Sequence, residues 1–231
     1  PFKEALDGLS IIEAANNDEE AMTIALILRE VLETPDKTAA LVTPDPALAR
    51  RVKARLRRWH VEVDYSQGEP LEETSLGSFL SLVTSLAIDP ESKVTLAELC
   101  KHPLTAIGQT EGHICRNWER YERHHLRGTR REKDQTVDTE FLNAVQAALK
   151  PIINLETAPA PIWAQGLSEA AEAFARTDEQ DGAARLWIDD AGEKAASLLE
   201  GLMSHGHFLG EMSAPEFARL FSTLMRGRVV R

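Results

Sequence analysis

The stretch that decides the predicted fold reads KTAALVTPDPALARRVKARLRRWHVEVDY and covers residues 37–65. Its first part, 38–43, has a continuous apolar centre, which is typical of a strand covered by helices on both faces of a parallel sheet. After the turn residues 44–46, apolar side chains recur about once per helical turn up to Trp59. Residues 61–65 then alternate between apolar and polar side chains. The stretch therefore predicts strand, helix and strand.

The residues before this stretch extend the same pattern. Residues 9–14 form a short, largely apolar run that suits a buried strand. Asn17 and Glu20 have the spacing of a capping box, and apolar residues at helical spacing follow as far as Leu32. We therefore expect a βαβαβ order, which normally forms a parallel sheet with right-handed crossovers.

Beyond residues 68–70 the apolar period becomes helical and stays so. The chain is therefore predicted to be α/β and then all-α, with an incomplete parallel-sheet segment over residues 1–73 and a helical domain over residues 74–231. The predicted helices of the second domain cover 76–86, a short segment through Leu96 and Leu99, and then 115–127, 140–150, 163–176, 183–203 and 215–225, with a capping box at Ser213 and Glu216.

Composition limits the class of protein. The chain has 231 residues, 43% of them hydrophobic, and neither a long apolar run nor a secretory leader is visible, so we expect a soluble, cytoplasmic protein. Cys100 and Cys115 are too few for a disulfide framework. A net charge of -11 argues against indiscriminate coating of nucleic acid. The first residue is not Met and residues 227–231 read like the start of a strand, so we expect a piece of a longer chain.

Two clusters of cations are candidates for contact with nucleic acid. The predicted helix before Trp59 places its cations on two adjacent rows, which suits phosphate contact, although a solvated helix face explains them equally well. A cationic loop follows Trp118 and Tyr121, and aromatic side chains near arginines can stack on single strands, although such aromatics are more often part of a core. The candidate residues are Arg50, Arg51, Lys53, Arg55, Arg57 and Arg58 in the helix, and Arg127, Arg130 and Arg131 in the loop.

Signatures of catalysis are missing from the sequence. No P-loop, dinucleotide-binding glycine motif, nucleophile elbow or zinc-protease helix occurs, so no catalytic residue and no cofactor are predicted, and the chain should not hydrolyse ATP alone. Two weaker possibilities stay open. One is zinc held by Cys100, His102, His113 and Cys115, against a buried cysteine and a histidine at a helix end. The other is a carboxylate metal site at Asp189, Asp190 and Glu193, against a solvated acidic face.

The order of these segments resembles the second motor half, domain 2A, of superfamily-one helicases related to UvrD. The resemblance lies in 39–44, the helix to Trp59, 60–64, and, further on, Gly68, Phe79-Leu80, Lys101-His102-Pro103-Leu104 and Gly108. Residues 40–52 with 57–59 are similar to the AddB family of double-strand-break repair subunits. The chain departs from the pattern at His60, where glycine is common, and at Tyr65, where aspartate is common.

The resemblance implies a 2A-like segment followed by a helical, 2B-like domain. It also implies a non-catalytic part of an AddAB-type helicase-nuclease that processes broken DNA ends, with the AddA subunit and single-stranded or duplex DNA as partners. Nuclease and iron-sulfur residues would lie outside these residues. The alternative is a helical protein-interaction module without DNA contact, and a third interpretation is a metal-dependent enzyme using the region of Cys100 and Cys115.

Overall fold

The computed structural model describes residues 6–64, 68–127, 135–153 and 155–230. These residues divide into two compact units, one ending at Asp64 and the other starting at Gly68. Each unit has its own hydrophobic core. Among the described residues, no helix combines the length and the apolar character needed to cross a membrane.

The first unit is a pair of helices, α1 (Asn17–Leu32) and α2 (Pro46–Arg57). Asn16 caps α1 because its side-chain oxygen accepts hydrogen bonds from the backbone N–H groups of residues 18 and 19, at 3.1 and 2.9 Å. Asp45 caps α2 in the same way, accepting from the N–H of Ala47 at 2.8 Å. The two helices bury a small core of Ala21, Ala25, Leu48, Val52 and Leu56.

The predicted parallel sheet is wrong. Residues 9–14, 38–43 and 61–64 form no strand, and the described chain holds only two small antiparallel sheets, both in the second unit. Helix α2 therefore packs on α1 rather than on a sheet. The side chains of Ile11 and Val42, expected inside, are each 93% exposed. Tyr65, at the end of the third predicted strand, lies outside the described residues.

The predicted strands are absent because a β-strand forms only beside another strand with which its backbone can pair. Backbone N–H and C=O groups of an extended segment are satisfied by another strand or by water, and an apolar run alone does not supply the other strand. The helices of this unit satisfy most of their backbone groups internally, so they form from local signals. The α/β segment is consequently replaced by two helices joined by chain without regular secondary structure.

The second unit is helical. Its helices are α3 (Ser75–Ile88), α4 (Lys93–Lys101), α5 (His113–Tyr121), α6 (Gln135–Ile153), α7 (Ala160–Ala175), α8 (Gly182–Leu186), α9 (Asp189–His205) and α10 (Ala214–Arg226). Strand β1 (Glu69–Pro70) pairs antiparallel with β4 (Val229–Val230), and β2 (Thr157–Pro159) with β3 (Glu211–Ser213). The predicted capping box is confirmed at Ser213, where the Glu216 carboxylate accepts from the Ser213 N–H at 2.8 Å.

Helix α7 is the centre of this unit. It packs against α3, α6, α8 and α9, and alanines and a glycine on its surface let neighbouring backbones approach closely. Trp163 is buried, and its indole N–H donates to the Met212 carbonyl at 2.8 Å, which ties α7 to β3. Nine of the 16 residues of α7 are buried.

Two predicted helices end or break where the sequence did not indicate it. The predicted helix 183–203 is two helices, α8 and α9, separated at Trp187 and Ile188, and Asp189 has a φ of 59°. The predicted helix 115–127 starts at His113 and changes at Tyr121 into a wider turn, Glu122–Leu126, with π-type hydrogen bonds.

The loop after α4, which carries the residues 101–108 of the helicase resemblance, is held in one conformation by the helices around it. The N–H groups of Ala106 and Ile107 both donate to the Phe174 carbonyl, at 2.8 and 3.0 Å. The Arg185 side chain, 8% exposed, donates to the Leu104 carbonyl at 3.2 Å and pairs with a carboxylate of the same loop, that of Glu111, at 2.7 Å. These hydrogen bonds tie the loop to α7 and α8.

Candidate nucleic-acid interface

The cations of α2 lie on the side of the helix that faces solvent. Leu48, Val52 and Leu56 occupy the inner side. Arg50 and Arg57, seven residues apart, share the row opposite to them, because seven residues are close to two helical turns. An adjacent row carries Arg51 and Arg58, and Lys53 stands on the other flank; all five cationic side chains are exposed.

Arg55, the sixth cation of α2, has a different place. Its side chain is 23% exposed and forms an ion pair with Asp18 in the first turn of α1. This pair lies beside the apolar contact of the two helices, so Arg55 joins α1 to α2. The charge of Arg55 is therefore matched by a carboxylate of the same unit.

A small cleft opens where α2 ends. It has a volume of about 190 Å³ and is lined by Met22, Arg55, Arg58 and Trp59. Trp59 is partly buried against the core of the first unit, and the guanidinium carbon of Arg29 lies 4.9 Å from the centroid of its ring. The sequence interpretation gave Trp59 only a packing role. The sequence carries no local signal for this cleft, because Met22 reaches Trp59 only through the packing of α1 against α2.

The second predicted cluster is only partly described. Arg127 lies in the second unit, where its Nη2 and Nε donate to Glu122 Oε1 at 2.6 and 3.1 Å. This hydrogen bond lowers the pKa of the Glu122 carboxyl below its ordinary value. Arg130 and Arg131 lie outside the described residues.

The aromatic residues upstream of that loop belong to the core. Trp118 and Tyr121 are 2% and 6% exposed, and their rings contact each other with centroids 5.7 Å apart. Neither ring offers an open face for a base. The core interpretation of these two side chains therefore holds, and the stacking interpretation does not.

The residues weighed as zinc ligands serve the packing of the second unit. Burial raises the pKa of the Cys100 thiol to about 12, with a smaller contribution from nearby Cys115, so the thiolate that zinc needs is disfavoured. His102 accepts a hydrogen bond from the Leu104 N–H through Nδ1 at 3.2 Å, and its Nε2 lies 3.3 Å from Ser78 Oγ. Burial lowers the pKa of His102.

No group of three or more His, Cys, Asp and Glu side chains within the described ranges is arranged to hold a metal ion. The acidic residues weighed as a metal site include Asp190, whose two carboxylate oxygens accept from the Lys194 ammonium at 2.7 and 2.6 Å. That pair spans one turn of α9 and is an ordinary helix-surface ion pair.

The exposed cations of α2 give this face of the helix a local positive charge. A row of guanidinium groups on a capped helix can donate paired hydrogen bonds to phosphate oxygens, and it needs no bound metal to do so. Comparisons with protein-family models, with curated proteins and with solved structures find no match to this chain.

Proposed function

We propose that this chain is a non-catalytic, DNA-contacting part of an AddAB-type helicase-nuclease, which processes DNA double-strand-break ends for recombinational repair. It acts in the cytoplasm together with an AddA subunit. The observation that carries the proposal is the exposed cationic face of α2, formed by Arg50, Arg51, Lys53, Arg57 and Arg58. The similarity of residues 40–52 and 57–59 to the AddB family supplies the biological setting.

Charge distribution supports contact at one face. The chain as a whole has a net charge of -11, so most of its surface repels a phosphate backbone. On α2, Arg50 and Arg57 lie roughly 10 Å apart along the helix axis, since each residue adds about 1.5 Å. Arginines at such a spacing can reach different phosphates of one strand. Contact with DNA through α2 therefore depends on local positive charge and not on the charge of the whole chain.

Backbone geometry gives further support for the similarity. His60 stands where the family commonly has glycine, and its φ is 58°, in the left-handed region that glycine adopts most easily. Gly108, another residue of the quoted pattern, has a φ of 72° and donates its N–H to the Arg176 carbonyl at 2.6 Å. Both positions therefore have the left-handed backbone conformation that favours glycine, the residue common in the family pattern.

DNA contact is tested by removing the charges of Arg50 and Arg57, which share the exposed row of α2. The variant R50Q/R57Q loses two cations of the exposed face, and the control K101Q/R219Q loses two exposed cations of the second unit, so the two have the same net charge. We expect R50Q/R57Q to bind labelled single-stranded and duplex DNA roughly tenfold more weakly than the unchanged protein. The control should bind as the unchanged protein does. Equal affinities for the two variants would contradict the proposal.

The partnership with AddA is a separate test. The chain and an AddA subunit are co-expressed and applied to a size-exclusion column in the absence of DNA. Elution as one complex supports the partnership, whereas separate elution contradicts it. DNA contact through α2 is not affected by either outcome, because that contact is measured on the isolated chain.

A protein-interaction module is the second candidate function, and one observation favours it. In the second unit, the turn Gly206–Leu209 presents Phe208 and Leu209 with 84% and 52% of their surface exposed. Adjacent exposed apolar side chains are typical of a site that another protein covers. If this module is the function, F208S/L209S should abolish binding to the AddA subunit while the unchanged protein shows no DNA binding.

A further inference from the structure

The cleft at the end of α2 is built from side chains of both helices. Met22 comes from α1, Arg55 from α2, and Arg58 and Trp59 from the residues that follow α2. The ion pair between Arg55 and Asp18 holds the two helices together beside it. The cleft is therefore formed by the packing of α1 against α2.

The walls of the cleft combine a flat apolar surface with positive charge. The indole of Trp59 is one wall, and the Arg29 guanidinium lies over the ring in a cation–π contact. Arg58 is exposed, and no hydrogen bond or ion pair of its side chain is found within the described ranges. A guanidinium group of this kind can stack on a planar ring or bind a phosphate. Met22 adds a flexible, polarizable contact.

We propose that this cleft binds one unpaired nucleobase of a single-stranded nucleic acid, stacked against Trp59 and Arg58. The inference rests on the proposed function, because the cationic face of α2 is what brings the strand to the cleft. Arg50 and Arg57 bind the phosphates, and the cleft binds a base. Duplex DNA meets only the arginines, since its bases are stacked inside the helix and cannot enter.

The size of the cleft restricts its occupant. About 190 Å³ is below the range of roughly 300–1,000 Å³ that accommodates a drug-sized ligand. It suits a single planar ring system, with the sugar and phosphate left outside against the cations of α2. A free nucleotide would contact the cleft but would not reach Arg50 and Arg57 with a second phosphate. The proposed ligand is therefore a strand and not a mononucleotide.

The first test uses the unchanged protein and needs no variant. A short single strand with ordinary bases is compared with a strand of the same length in which every position is abasic, so that the charge is equal and the bases are missing. We expect roughly tenfold weaker binding of the abasic strand, since stacking on an aromatic side chain contributes about that factor per base. Equal affinities would overturn the cleft proposal. If a mononucleotide displaces the strand when both are present at the same total nucleotide concentration, the proposal that the ligand is a strand is wrong.

The second test changes the cleft and keeps the net charge matched. M22E places a carboxylate in the cleft, and L26E places one on the exposed side of α1, about one turn further along the same helix. We expect M22E to lose the preference for the strand with bases over the abasic strand, and L26E to keep it. W59L should behave as M22E does, with far-UV circular dichroism used to verify that α1 and α2 are retained.

The outcomes separate the two proposals. If R50Q/R57Q weakens binding but the bases make no difference, DNA contact through α2 stands and the cleft proposal fails. If M22E and L26E keep the same preference for bases, the stacking site is not this cleft, and the proposal fails. If neither strand binds the unchanged protein, both proposals fail.

Discussion

Glu72 and Arg226 form an ion pair that joins two residues 154 positions apart in the sequence, with Glu72 in the first turn of the second unit and Arg226 at the end of α10. Ser222, one turn earlier in α10, donates its hydroxyl to the same carboxylate at 2.5 Å. The hydrogen bonds from Arg226 and Ser222 lower the pKa of Glu72 below its ordinary value of 4.5. Strand β1 lies just before Glu72 in the sequence, and its partner β4 lies just after Arg226. Backbone pairing and side-chain hydrogen bonds therefore join the same two segments of the second unit.

The first prediction concerns this ion pair. Replacing Glu72 by glutamine removes the charge and keeps the shape, and we expect the thermal midpoint of the second unit to fall by roughly 2 °C. Because the folded-state pKa is lowered, the stabilisation is present above pH 4.5 and is lost as the pH falls through the lowered value. Thermal unfolding of the unchanged protein and E72Q should therefore converge in acid. A difference that persists at low pH would contradict this account.

The second prediction concerns His102. Burial lowers its pKa, and the neutral ring accepts the Leu104 N–H through Nδ1, which a protonated ring cannot do. The folded state therefore binds fewer protons than the unfolded state. Stability is full above the ordinary pKa of about 6.5 and decreases as the pH falls from there toward the lowered value.

Urea unfolding from pH 7.5 to 5 measures this effect. We expect H102Q to be less stable than the unchanged protein at the upper end of the range and to lose less stability toward the lower end. The matched control is H205Q, which changes an exposed histidine of α9 and should retain the pH dependence of the unchanged protein. An identical pH profile for H102Q and the unchanged protein would show that another group is responsible.

The third prediction compares two glycines in helices of the second unit. A Cβ at Gly182 would overlap the carbonyl oxygen of Glu172, because α8 begins directly against α7, whereas a Cβ at Gly201 would meet no atom within 4 Å. We expect G182A to lower the free energy of unfolding by about 1–3 kcal/mol. By contrast, G201A should raise it by about 0.5–1 kcal/mol, since alanine is the better helix former.

Chemical denaturation of the two variants gives both values under the same conditions. Equal effects of G182A and G201A would mean that α8 does not approach α7 as closely as the structure indicates.

The fourth prediction tests the correction of the predicted sheet. Val42 is 93% exposed in the connection between the two helices, and Val52 is 2% exposed between α1 and α2. We expect V42A to change the free energy of unfolding by less than about 0.5 kcal/mol and V52A to lower it by about 1–3 kcal/mol. Hydrogen exchange in α1 and α2 reports the stability of this unit separately from the other. A large loss of protection in V42A would indicate that residues 38–43 are buried as the sequence suggested.

The helices of this chain could be predicted from local sequence patterns, whereas its strands could not. The helix before Trp59, the helix after Asn17 and the capping box at Ser213 follow from spacing within a few residues, and the structure has all three. The capping box predicted at Asn17 and Glu20 is wrong, because Asn16 caps that helix. The runs 9–14 and 38–43 have the composition of strands, but strand formation depends on a partner elsewhere, which no local pattern specifies.

The candidate site shows the same division. The exposed row of Arg50 and Arg57 could be predicted from helical spacing alone. The placement of Arg55 against Asp18 could not, because it depends on how α1 packs against α2. The cleft was missed for the same reason, since Met22 and Trp59 become neighbours only through that packing.

The most direct test of DNA contact through α2 is the dependence of DNA affinity on salt concentration for the unchanged protein and for R50Q/R57Q. Each phosphate contact contributes about one unit to the slope of log affinity against log salt. The account predicts a slope that is smaller by about two units in R50Q/R57Q, with K101Q/R219Q unchanged. Parallel lines for the unchanged protein and R50Q/R57Q would contradict it.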